Sequence, residues 1–155
     1  MAQYQAAGLS RPAYMSDDGN FSAYDDTVAV SALLLADTVD LIKLPGGLRL
    51  TGLIFPVFSD LDSGGAALAV KIGYRPVRSD SALAVVDNAF GSGLTFLASA
   101  SNSSAAALQA RVDMAFAPVT FNEEVYVFAT VTTAPTTGAA GSITTLATGI
   151  TVGVK

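Results

Sequence analysis

The chain has no cysteine, no histidine and no tryptophan. Without cysteine there is no disulfide framework and no thiolate metal site. Without histidine there is no Ser-His-Asp or Cys-His arrangement, no imidazole ligand and no ordinary general base near neutral pH. Neither a G-x-S-x-G elbow nor a G-x-x-x-x-G-K-[ST] phosphate loop occurs. Carboxylates are what remains for chemistry, and a glycosidase could use a pair of them. The candidate pairs are Asp37 with Asp40, Asp60 with Asp62, and Glu123 with Glu124. Adjacent residues on a strand point to opposite faces, so Glu123 and Glu124 read as a solvated turn. Asp60-Leu61-Asp62-Ser63-Gly64 resembles the opening of a calcium loop but falls out of step with it, and no Glu closes it. A plain turn is expected there. No enzyme, cofactor or metal site is expected.

Charge is also scarce. Charged residues make up 14% of the chain and the net charge is −5. The one basic cluster, Lys71, Arg75 and Arg78, is followed at once by Asp80 and reads as the exposed end of a strand, not a nucleic-acid site. So little charge on a folded domain points to surface that lies against other protein. Hydrophobic residues reach 51%, yet the apolar runs are cut by Asp37, Asp40 or Pro56. None approaches the roughly 20 residues of a membrane-spanning helix. The first residues have neither a basic start nor an apolar centre, so synthesis in a reducing cytoplasm without secretion is expected.

What is present is β pattern. A chain of 155 residues is long enough for one domain with a real core. Residues 37–59 hold two β-capable runs separated by Pro45-Gly46-Gly47, which predicts a tight reversal and an antiparallel pair. Thr27 to Ala36 reads as a buried strand, with a short helix as the alternative. Ala67 to Tyr74 alternates well and is stopped by Arg75-Pro76. Residues 79–110 are rich in Ser and Ala and read as a long connection with one or two helical turns. Arg111 to Phe116, Val125 to Thr132 and Ser142 to Val154 supply further strands, with a loop from Thr133 to Gly141. About seven or eight short strands with turns between them predict an all-β antiparallel sandwich or barrel.

Residues 1–26 show neither period and form a separate N-terminal extension ahead of a single β domain at 27–155. Such a segment is either a frayed terminus or an extended arm. Its aromatics, among Asp17, Asp18, Asp25 and Asp26, favour an arm that docks on a neighbour. Candidate protein–protein contacts are Tyr4, Arg11, Tyr14, Phe21 and Tyr24.

The order of segments carries a resemblance. A strand feeding ADTVDLIKLPGGLRLTGL, then VKIGY, a Ser/Ala-rich connection with Phe90, and VYVFATVTTAPTTGAAGSITTLATGITVGVK resembles the small capsid decoration (cement) proteins of tailed bacteriophages. The resemblance spans roughly residues 27 to 155. It implies a jelly-roll-like β-sandwich, a homotrimer at threefold or quasi-threefold positions outside the shell, and the major capsid protein as partner. The virion exterior is then the destination, after synthesis in the host bacterial cytoplasm. A carbohydrate- or receptor-binding sandwich of a phage tail or surface protein is the alternative, with Tyr74 and Tyr126 as its best aromatics.

Overall fold

The computed structural model describes residues 3–5, 11–14, 21–98, 112–113 and 118–152. Its strands are β1 (Gln3–Gln5), β2 (Arg11–Tyr14), β3 (Phe21–Val30), β4 (Thr38–Leu44), β5 (Leu48–Phe58) and β6 (Ala69–Pro76). They continue with β7 (Val86–Leu94), β8 (Val112–Asp113), β9 (Val119–Phe121), β10 (Val125–Thr133) and β11 (Gly141–Thr151). A 3-10 turn, Phe96–Ala98, follows β7.

The first sheet has the order β1-β4-β10-β6-β7 and the second β2-β3-β11-β5-β8, with β9 also on β5. All pairings are antiparallel except β1 with β4. From β3 to β6 successive strands alternate between sheets, β7 then pairs beside β6, β8 and β9 both lie on β5, β10 inserts between β4 and β6, and β11 returns to lie between β3 and β5. This is the double Greek-key arrangement of a jelly roll. The expected all-β sandwich is therefore what the chain forms.

The two runs around Pro45-Gly46-Gly47 are not paired with each other. β4 bonds to β10 in the first sheet, while β5 bonds to β11 in the second. The turn crosses the core from one sheet to the other. Gly47 takes φ 79°, a region open to glycine at little cost. Its N–H donates to Phe121 O at 2.7 Å and its carbonyl accepts from Val152 N at 2.7 Å. Alternation reports which side chains face inward, but not whether the next strand lies beside or opposite.

β5 shows how the sequence pattern bends. Leu48 and Leu50 face the core, then Leu53 and Phe55, then Phe58. That set has no constant period of two. Two irregularities against β11, at Thr148/Gly149 and Thr144/Leu146, explain it. Each inserts one residue, which moves the inward set to the other parity. The core so formed includes Phe55 stacked on Phe96 at 4.9 Å and Phe58 edge-on to the same ring at 5.1 Å. Tyr74 meets Phe121 edge-on at 5.2 Å.

Three readings of the sequence change. The strand expected from Thr27 to Ala36 begins earlier, at Phe21, and ends at Val30. Residues 21–26, assigned to the extension, are thus part of a sheet strand. The connection expected across 79–110 contains β7, an edge strand whose Gly91 and Gly93 take positive φ and whose pairing to β6 shifts twice. Its helical turn at Ala105 to Ala110 lies outside the described residues, as does most of the strand expected over Arg111 to Phe116.

Candidate interaction surface

Formal charge is distributed unevenly over the sandwich. At one end lie the loops 45–47, 77–85 and 122–124. Here Lys43 pairs with Glu124 at 3.0 Å, Arg78 with Asp80 at 2.8 Å, and Ser81 Oγ donates to Glu123. The Arg78 guanidinium holds the Asp80 carboxyl below its ordinary range. The outer face of the first sheet is also laced with ions. Lys71 pairs with Asp87, and Arg75 Nη2 donates to both oxygens of buried Asp40 at 2.9 and 2.6 Å. Gln3 Nε2 adds a third donation to Asp40 at 2.8 Å. The Arg75 guanidinium lies 5.3 Å from the Tyr126 ring centre and 5.9 Å from that of Phe128.

The opposite end is built from loops 31–37, 59–68 and 134–140, and differs in kind. These loops contain no Lys or Arg, and their acids are Asp37, Asp60 and Asp62. Asp37 and Asp62 are buried and Asp60 half-buried. All three are turned to holding the backbone. Asp62 Oδ2 accepts from Ala67 N at 2.8 Å and Leu68 N at 3.0 Å, and its Oδ1 accepts from Thr137 N at 3.0 Å. Burial by itself would raise the Asp62 pKa; the backbone donations from Thr137, Leu68, Ala67 and Thr136 overcome it and hold the carboxyl below its ordinary value. Asp60 Oδ1 in turn accepts from Asp62 N at 2.9 Å. The sequence reading of a plain turn fits this geometry, since the Asp62 oxygens are taken up by N–H groups.

The loop 31–37 is held as firmly. Leu34 N donates to Asp37 Oδ2 at 2.9 Å and Asp37 N returns a bond to Leu34 O at 3.1 Å. Ala36 N donates to Val131 O and Val131 N to Asp37 O, at 3.0 and 2.9 Å. Ala36 itself sits at φ 67°, a conformation costing an L-residue roughly 1–2 kcal/mol. The result is a turn in which Leu33 enters the core while Leu34 and Leu35 remain 67% and 61% exposed. Around them the tip is Ser31, Ala32, Ser63 to Ala67 and Thr133 to Ala140, small and uncharged throughout.

The residues proposed as contacts from the sequence do not converge. Tyr4 belongs to the first sheet, where its hydroxyl meets Ser31 Oγ at 2.6 Å and its ring packs against the core. Arg11 and Tyr14 belong to β2, their backbones opposite Asp25 and Ala23 of the second sheet. Phe21 is 55% exposed at the start of β3, opposite Ile150. Tyr24 is a core residue, because it shares the inward parity of Val28 and Val30. Tyr74 is likewise inward, while Tyr126 lies under Arg75. Sequence reading missed Leu34 and Leu35 by placing them inside a strand. The signal available was Leu33-Leu34-Leu35 itself, a run that breaks strand alternation just ahead of an Asp.

No protein-family model matches the chain, and no curated protein does. Among solved structures it is similar to a chain of the "Capsid of Ralstonia phage GP4", with a TM-score of 0.66 and 23% identity. The alignment covers 99% of this chain and 100% of that one. At that identity the likeness establishes a shared fold.

Proposed function

We propose that the chain is a structural virion protein of a bacteriophage. It binds the outside of the capsid as a decoration protein, as a homotrimer at threefold or quasi-threefold positions, and clamps major capsid subunits. The observation that carries this reading is the end-to-end likeness to a chain of a phage capsid, TM-score 0.66, with neither chain left over. The surface supports it. Side chains with charge are paired on one face and one end, and the other end presents protruding leucines for contact with protein while its acids hold the backbone. The role needs no catalysis. Many copies acting together on one shell give avidity that no single contact supplies. On this reading Tyr4, Arg11, Tyr14 and Phe21 belong to an N-terminal segment that adds contacts to a neighbour.

The test is co-sedimentation of the purified chain with mature shells of the phage that encodes it, together with the melting temperature of those shells. Saturable binding and a raised melting temperature are expected. Shells that neither bind the chain nor melt differently in its presence would sink the proposal.

A further inference from the structure

We infer that β1 and β2 form an exchangeable strap: in the assembly each copy seats these two strands on the body of the next copy. The occupant of the seat is then a second copy of this chain. The inference rests on the trimeric virion reading and deepens it, by naming the segment that joins the copies.

The seat is made for this chain's own residues. β1 forms an edge of the first sheet and β2 an edge of the second. β1 and β4 also pack against β3, so the two strands close both sheets on the same side of the sandwich. Gln3 brings its amide to the buried Asp40 at 2.8 Å, and Tyr4 its hydroxyl to Ser31 Oγ at 2.6 Å while its ring packs on the core. In the second sheet Arg11 stands opposite Asp25 in register. An empty seat would leave the edges of β4 and β3 open side by side, which invites indiscriminate strand pairing. A strand without Gln3 and Tyr4 would forgo their bonds. The seat is therefore filled by a copy of this chain, its own or a neighbour's.

Length, attachment and symmetry favour the neighbour. Tyr14 pairs with Ala23, so residues 15–22 separate the first partners of β2 and β3, where a hairpin loop takes about 2–5 residues. Fully extended, residues 15–20 between the two strands reach roughly 20 Å, about twice the ~10 Å between packed sheets. That is surplus for a turn back onto β3 and enough to reach a body lying alongside. Attachment is light, because β1 has three paired residues and β2 three, with a register shift between Pro12 and Tyr14. The same bonds form whichever copy donates, so exchange loses no contact and the balance follows the local concentration of neighbours. Sites side by side on a shell keep that concentration high. Donation from each copy to the next is a head-to-tail contact, which closes into a ring of three and so suits threefold positions.

The chain has no cysteine, so two engineered ones report the strap's donor without background. Tyr14→Cys and Ala23→Cys, at register partners of β2 and β3, are made in separate full-length chains. The two are unfolded together in urea, refolded across a concentration series and oxidised. A covalent pair that neither variant gives alone is expected on a non-reducing gel. Placed in one chain, the same two cysteines are expected to link copies into covalent multimers. A strap seated on its own body gives no mixed pair, and the doubly substituted chain then closes internally as a monomer. That result at every concentration overturns the inference. Arg11→Cys with Asp25→Cys, also register partners, repeats the test should the first positions fold poorly. Internally closed monomers of a chain that still binds shells would remove this inference and leave the virion reading standing. Covalent multimers of a chain that ignores shells would do the reverse.

Discussion

Replacing Arg75 with methionine removes a charge from beside Asp40 while keeping most of the side chain's apolar length. The Asp40 side chain is 1% exposed and that of Arg75 is 32% exposed. Stripping one partner from a fully buried ion pair costs about 3–5 kcal/mol, because the survivor stays buried and unneutralised. Two features lower that figure here. Both bonds come from a single nitrogen, Nη2, so the pair lacks the two-pronged geometry of the strongest Arg–carboxylate contacts. Arg75 also stands partly in water, which would enter where it leaves, and Gln3 Nε2 still donates to Asp40. Charge-assisted hydrogen bonds of this kind are worth about 1.5–3 kcal/mol. Stacking of the guanidinium over Tyr126 and Phe128 adds roughly 0.5–1 kcal/mol, part of which a thioether recovers. The expected cost is about 2 kcal/mol, read as a fall in the urea midpoint at unchanged slope and a melting temperature lower by roughly 4–8 °C for a chain of this size. Adding Asp40→Asn to the same variant should return part of the loss, since a buried negative charge is then gone. A cost below about 0.5 kcal/mol for Arg75→Met would refute the reasoning, because that is what an exposed pair contributes.

Asp62 gives a prediction in pH. Its folded-state pKa lies below the ordinary 3.8, so its stabilising contribution is present above that value and is lost as pH falls through the lower folded one. The urea midpoint of wild type should therefore drop more steeply between about pH 5 and 3 than that of Asp62→Asn; parallel curves would count against the role given to the carboxylate. Thr145 is buried and its Oγ1 has no hydrogen-bond partner among the described residues. Thr145→Val should raise stability by about 1 kcal/mol, the cost of an unsatisfied buried hydroxyl, and a calorimetric melting temperature that falls would show that the hydroxyl is satisfied after all.

Much of the fold could be read from side-chain chemistry. Val125 to Thr132 is dense in β-branched and aromatic residues because β10 is central in its sheet, and its inward set Val125, Val127, Ala129 and Val131 keeps a strict period of two. β7 was not legible. An edge strand pairs on one side only, so it tolerates Asp87, Asn88, Gly91 and Gly93, which read as loop. The inserted residues in β5 could not be read either, because an insertion is defined by the register of β11, far along the chain. The same holds for the candidate surface. Leu33, Leu34 and Leu35 are chemically alike, and what sends one inward and two outward is the bond of Ala36 to Val131 and the cap from Asp37. Those partners are set by tertiary structure, not by neighbours in sequence.

The placement of β11 between β3 and β5 has a meaning in time. Val30 pairs with Gly141 and Phe21 with Ile150, so a strand made early waits for one made very late. At about 5–20 residues per second of synthesis, the interval between Val30 and Gly141 is roughly 6–20 s. Throughout it β3 and β5 have edges open to any passing strand, the hazard of sheets with distant partners. A ribosome that stops short of residue 141 releases a chain with most of its side chains and a second sheet split between β3 and β5. Completion depends on the arrival of one strand, and everything upstream of it is provisional until then.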